Sequence, residues 1–163
     1  MAIGAVGLGA FRSGSSRVAF AGDFGVGGRV EKLSMPYLDQ GGRFEYERFR
    51  NKPLVVNFFA SWCPNCIAEM PGFEEVHEDL GDRVVFLGVS QSDSKAASID
   101  LARQTGVRYP LGVDANGTFF RAVGGGGMPT TLFIKPGGQV AYVQVGALDA
   151  ATLREGIQRY LGV

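Results

Sequence analysis

Cysteine is scarce in this chain: there are two, Cys63 and Cys66, and none is left over for a structural disulfide elsewhere. Histidine is scarcer still, with His77 the only one. Net charge is missing, because 16 Lys and Arg offset 16 Asp and Glu. Nucleic acid held through its phosphates wants a basic face, so that class of partner is not expected. The apolar stretch Met1 to Phe11 falls short of the ~20 residues of a membrane-spanning helix, and no basic segment precedes it. Internal repeats are also lacking. A chain of 163 residues suits one domain with a sizeable core.

What is present is organised around Leu54-Val55-Val56-Asn57-Phe58-Phe59-Ala60-Ser61-Trp62-Cys63-Pro64-Asn65-Cys66. It opens as an apolar run with β-branched and aromatic residues, which suits a strand buried on both faces. At Ser61-Trp62 the spacing becomes helical. Both cysteines sit at that junction, and a strand–turn–Cys-x-x-Cys–helix layout in an α/β pattern reads as a redox dithiol. With Pro64 first in the helix, its missing N–H costs nothing, since that donor has no intrahelical partner. Cys63 then faces free N–H groups and the positive end of the helix dipole. Both favour thiolate, so its pKa is expected below the free value of about 8.5. Cys66 lies one turn further in, on the same side and more buried. Cys63 is therefore the candidate nucleophile and Cys66 the resolving thiol. Pro64-Asn65 carries no formal charge, so nothing between the cysteines dictates an extreme potential.

Val56 to Cys66, followed by Glu69-Met70-Pro71, resembles the thioredoxin-like family of TlpA, ResA and DsbE type. The likeness runs from about Leu33 to Val163. Gly127-Met128-Pro129-Thr130-Thr131 agrees, being similar to that family's cis-proline loop. The resemblance implies a thiol–disulfide oxidoreductase of α/β class. Its thioredoxin fold would have a mixed central β-sheet flanked by helices, an N-terminal β-hairpin and a central strand–helix insert. It also implies a cis Pro129 beside the disulfide and a Met128 backbone that pairs with a substrate strand. Trp62, Pro64, Met128, Pro129 and Thr130 are then the candidate substrate-binding residues, Trp62 and Met128 forming an apolar docking edge. For Trp62 a packing role is the plainer reading, and the two are compatible.

Thioredoxin proper carries an aspartate where this chain has Asn57, whereas the TlpA-like branch carries a glutamate where this chain has Glu69. At i+3 from Cys66 that carboxylate can face the resolving thiol. Partly desolvated, it would have a raised pKa and take the Cys66 proton during exchange, which makes it the third candidate catalytic residue. The alternative is a solvated glutamate near the helix start.

Arg12 to Gly28 is Gly/Ser-rich and reads as a tether. The expected organisation is a flexible segment over 1–30 and a thioredoxin-like domain over 31–163. Met1 to Phe11 has two readings: the tail of a signal or anchor region, or an extension without fixed structure. The resemblance favours the first, and with it an extracytoplasmic protein with a membrane tether. Cysteine count alone does not separate compartments.

Further on, Met35 to Leu38 and Arg43 to Tyr46 flank Asp39-Gln40-Gly41-Gly42 and predict a hairpin. Met70, Phe73, His77 and Leu80 predict the apolar stripe of a helix ending near Gly81. A strand over Arg83 to Ser90 precedes a helix capped by Ser92, Asp93 or Ser94 and stopped by Gly106. Tyr109 to Asp114 reads as a strand and Asn116 to Val123 as a helical turn. Gly124 to Gly127 lacks the P-loop lysine, so it reads as a lead-in to the Met128-Pro129 loop. A hairpin over Thr131 to Val145 and a helix capped by Asp149 close the chain.

The expected activity is thiol–disulfide exchange with protein substrates, a partner protein recycling the dithiol. No cofactor beyond the Cys63–Cys66 disulfide is expected. A different class is a soft-metal module holding Cu(I) on the two thiolates. That reading has only two ligands, and His77, about three turns from Cys66, reads as a packed or boundary residue. No metal site is therefore assigned. A thioredoxin-superfamily peroxidase fits poorly, because its reactive cysteine normally lacks a Cys-x-x-Cys partner.

Overall fold

The structure, a computed structural model, describes residues 17–163. Its elements are β1 (Ala19–Gly22), β2 (Val30–Pro36), β3 (Arg43–Glu45), β4 (Leu54–Phe59), α1 (Pro64–Leu80), β5 (Val85–Gln91), α2 (Lys95–Thr105), β6 (Leu111–Asp114), α3 (Thr118–Ala122), β7 (Thr130–Ile134), β8 (Val140–Val145) and α4 (Ala150–Leu161). The larger sheet has the order β6-β5-β4-β7-β8, parallel among β4, β5 and β6 and antiparallel across β4–β7 and β7–β8. The smaller sheet is antiparallel, in the order β1-β2-β3.

β4 is the middle strand and is buried along its length, as its unbroken apolar run requires. Successive side chains of a strand point to opposite faces. Accordingly Val55 and Phe59 join the core beneath α1 and α4, with Met70, Phe73, Leu153 and Ile157. Leu54, Val56 and Phe58 join a second core with the small sheet and α3. Asn57 falls on the α1 side by this alternation. That register puts a polar group beneath the helix that carries both cysteines.

The predicted hairpin is β2–β3, with Met35 opposite Phe44. The structure differs from the sequence reading between residues 17 and 30. There β1 pairs with β2, Phe20 standing opposite Leu33. Phe24 is buried, and its ring meets Phe119 edge-on at 5.2 Å. The glycines that suggest a tether serve a tight return instead. Gly22 has φ +126, and a Cβ there would collide with the Arg29 carbonyl. Met1 to Phe11, the stretch read as an anchor remnant, lies outside the described residues.

Capping follows the sequence closely. Ser94 Oγ accepts the Ala97 N–H at 3.2 Å, Gly106 ends α2 with φ 73, and Asp149 Oδ1 accepts the Thr152 N–H at 2.7 Å. In α1, Met70, Phe73 and Val76 are fully buried, while His77 and Leu80 sit at the boundary. Edge-on contacts at 5.5 and 5.6 Å pack His77 against Phe86 and Tyr109. Glu74 is also buried, a burial the apolar stripe does not predict. Its carboxylate accepts the Arg108 N–H at 2.7 Å and tethers the loop before β6 to α1. Among the described residues no helix is long and apolar enough to cross a membrane.

Candidate active site

From the end of β4 the chain turns through Ala60-Ser61-Trp62, closed by the Cys63 N–H on the Ala60 carbonyl at 3.2 Å. Cys63 takes the N-cap position in extended conformation, and Pro64 is the first helical residue. The Cys63 Sγ accepts the Cys66 N–H at 3.2 Å, the place a Ser or Asp oxygen usually occupies. The two cysteines are joined as a disulfide with Cα atoms 5.3 Å apart. Cys66 is wholly buried and Cys63 is 5% exposed, so Cys63 presents the sulfur nearer to solvent. The first turn of α1 holds no acidic residue, which leaves its positive end uncompensated for an anion.

Glu69 is 4% exposed, which excludes the solvated alternative. Its Oε1 accepts the Asn57 Nδ2–H at 2.7 Å and its Oε2 accepts the Leu148 N–H at 2.9 Å. Burial pushes its pKa up, the Leu148 and Asn57 hydrogen bonds pull it partly back, and the balance stands at about 7. The same Asn57 amide lies 3.3 Å from Thr131 Oγ1, so β4, β7 and α1 meet in one polar cluster inside an apolar core.

Above the disulfide lies a groove of about 540 Å³, lined in part by Trp62, Cys63, Pro64, Asn65, Phe120 and Met128. The Met128–Pro129 bond is cis. Thr130 and Pro129 are buried beneath the groove loop, where the Thr130 hydroxyl donates to the Gly127 carbonyl at 2.7 Å. Of the residues singled out in the sequence, Trp62, Cys63, Pro64 and Met128 meet at this groove. Cys66 and Glu69 lie inside. Pro129 and Thr130 shape the loop rather than line the groove. Trp62 is 58% exposed, a large apolar side chain left in water at the rim.

Asp93 belongs to the site as well, and the sequence suggests it only as a helix cap. It accepts the Ser61 N–H at 2.7 Å and the Ser61 hydroxyl at 3.0 Å. It also accepts the Ser94 N–H at 2.8 Å and the Ser98 hydroxyl at 2.9 Å. Burial pushes its pKa up, but these hydrogen bonds outweigh burial and hold the carboxyl below its ordinary range. One carboxylate thus ties the turn before Cys63 to the start of α2. Among the described residues, no group of three or more His, Cys, Asp and Glu side chains could hold a metal ion.

A Cys-x-x-Cys disulfide across a helix start, a cis proline in the loop that lines its groove and a mixed sheet beneath define a thioredoxin-fold dithiol protein. The chain belongs to the AhpC/TSA family, whose sequence profile matches residues 26–143. It is similar to the thiol-disulfide oxidoreductase ResA of Oceanobacillus iheyensis, with 32% identity over 60% of this chain and 51% of that protein. It is also similar to the thiol:disulfide interchange protein DsbE of Pseudomonas aeruginosa, with 31% identity over 72% of this chain and 64% of that one. The chain therefore spans between half and two-thirds of the length of these two relatives. The solved structure of MTB dsbF in its mixed oxidized and reduced forms superposes with a TM-score of 0.71 at 28% identity, covering 78% of this chain and 93% of that one.

Proposed function

We propose that this protein is a thiol–disulfide oxidoreductase acting on protein thiols and disulfides. The observation that carries the reading is the Cys63 sulfur held as N-cap of α1 by the Cys66 N–H, beside a resolving sulfur that is fully buried. In the reducing direction the Cys63 thiolate attacks one sulfur of a substrate disulfide. A mixed disulfide forms and a substrate thiolate leaves. The Cys66 thiol passes its proton to Glu69 and attacks the Cys63 sulfur, which releases the second substrate sulfur as a thiolate. The substrate gains two electrons, and the protein ends as the Cys63–Cys66 disulfide. In the oxidising direction each step reverses. The disulfide itself is the redox group, and a partner protein returns it to its starting state.

The resemblance to ResA and DsbE supports a location outside the cytoplasm. There the protein would supply reduced thiols for cytochrome c maturation or introduce disulfides into exported proteins. Potentials of such dithiols span about −270 to −120 mV, and the measured value separates the two roles. A value near the negative end assigns the reductase and one near the positive end the oxidant.

The exchange reading is tested by paired variants. Cys63→Ala abolishes reaction with disulfides, while Cys66→Ala accumulates a mixed disulfide through Cys63. Should Cys66→Ala capture no disulfide-containing protein under oxidising conditions, the assigned roles are wrong.

A further inference from the structure

Four glycines, Gly124 to Gly127, lead into the cis Met128–Pro129 bond, and local geometry bears on three of them. Gly124 has φ +76, a conformation that L side chains resist. A Cβ on Gly125 would stand 2.5 Å from the Phe120 ring, and one on Gly127 would stand 3.2 Å from Val145 Cγ1. Gly126 is different. Its φ lies outside the left-handed region, and a Cβ there would meet only the Gly124 carbonyl oxygen, at 4.0 Å. Backbone and packing would both accept a side chain at this position. It nevertheless stands bare on the wall of the groove that holds Cys63.

The rest of that wall has one chemical character. Trp62, Pro64, Phe120 and Met128 are apolar, Asn65 is neutral, and among the described residues no charged side chain lines the groove, although 20% of the chain is charged. An apolar group entering the groove would leave water for aromatic and aliphatic contacts. A carboxylate or ammonium would lose its hydration and find no counter-charge.

We infer that Gly126 is a specificity-determining residue, whose missing side chain keeps the groove open for a bulky apolar side chain next to the substrate cysteine. This rests on the thiol–disulfide reading and names the substrate class within it. The substrates are polypeptide segments whose reactive cysteine neighbours an aromatic or large aliphatic residue, not an acidic one.

The test uses the full reduced chain and short peptides whose single cysteine is capped as a mixed disulfide with thionitrobenzoate. The Cys63 thiolate attacks the peptide sulfur, thionitrobenzoate leaves and is read by its colour, and Cys66 then releases the peptide thiol. The peptides differ only in the residue beside cysteine: Trp, Ala or Asp. 2-Hydroxyethyl disulfide, a small uncharged disulfide, reports on the dithiol itself. The wild type reacts with the Trp peptide roughly tenfold or more faster than with the Asp peptide, the scale of discrimination a pocket of this kind supplies. Gly126→Leu erases that preference, read as the ratio of its Trp-peptide to Asp-peptide rates, and Gly126→Ala falls between. A wild type that treats the three peptides alike, or a Gly126→Leu protein that keeps the full preference, overturns the inference. If Gly126→Leu loses reaction with 2-hydroxyethyl disulfide, Gly126→Ala decides: a reduced preference supports the inference and an unchanged one overturns it. A wild type inert toward 2-hydroxyethyl disulfide and all peptides overturns the exchange reading itself.

Discussion

The Asn57 amide donates to Glu69 at 2.7 Å between β4 and α1, while its own oxygen, equally buried, has no partner. The pair is matched to the ionised carboxylate, which accepts from Asn57 and from the Leu148 N–H. If Glu69 is protonated, a half-turn of the Asn57 amide offers its idle oxygen to the new O–H. One amide can therefore serve both protonation states, as a group that takes up and returns a proton requires.

Glu69 should set the pH dependence of the resolving step. With its pKa raised to about 7 by burial, the carboxylate becomes available as a base as pH rises through neutrality. Stopped-flow resolution of a Cys63 mixed disulfide is expected to accelerate through that range in the wild type. Glu69→Gln should slow the step about a hundredfold and flatten the profile, at the lower end of what general bases contribute. An unchanged profile removes Glu69 from the mechanism.

The same group should leave a signature in stability. Between an ordinary value of 4.5 and about 7 the folded protein keeps a proton that the unfolded chain has released. Stability contributed by Glu69 therefore falls as pH rises through that window, by about 3 kcal/mol. Glu69→Gln escapes this loss, since the turned Asn57 amide accepts from its NH2 group. Urea denaturation should show the variant gaining on the wild type from about pH 4 to about pH 8. A gap that does not move with pH contradicts the raised pKa.

Asp93 holds the turn that carries Trp62, whose indole N–H points to the Ser92 carbonyl at 3.4 Å. Asp93→Ala strands the Ser61 N–H and is expected to cost about 2 kcal/mol. The contribution of Asp93 is present above its unfolded pKa and lost as pH falls through the lowered folded value. Trp62 is the only tryptophan, so its fluorescence reports the loosened turn directly. Identical emission and stability in Asp93→Ala would contradict this role.

Glu74 and Glu69 are both buried on α1, yet their variants should behave differently. Glu74 accepts the Arg108 N–H and side-chain Nε–H, and lies near the Tyr109 N–H at 3.4 Å. Glu74→Ala is expected to lower stability by about 1–3 kcal/mol, the cost of stranding buried donors. Its reaction with 2-hydroxyethyl disulfide at neutral pH should match the wild type. Loss of reactivity in the folded variant would assign Glu74 to the chemistry.

The folded unit should begin before residue 31. Phe24→Ala removes a ring that packs on Phe20 and Phe119, and is expected to cost about 3 kcal/mol. Equal urea midpoints for variant and wild type would return this segment to the status of a tether.

Much of this molecule was legible without coordinates, because the signals are local. Pro64 beside Cys63 marks a helix start, the apolar run over Leu54 to Phe59 marks a central strand, and Ser94 and Asp149 mark caps. All of these depend on neighbours a few residues away. The aromatic pair Phe20 and Phe24 was masked by glycines whose composition imitates a linker. Its partners, Leu33 and Phe119, come from β2 and from α3.

Sequence alone determined where the two cysteines would sit and which helix would hold them, since a helix terminus is built from adjacent residues. Tertiary structure decided which charged side chains work in the interior. Glu69 is buried because Leu148, 79 residues away, closes over it, and Glu74 because Arg108, 34 residues away, docks on it. Spacing from Cys66 singles out Glu69, but no spacing rule separates Glu74 from exposed Glu75 or Glu78 on the same helix. Burial is a property of what packs against a residue, and distant chain supplies that.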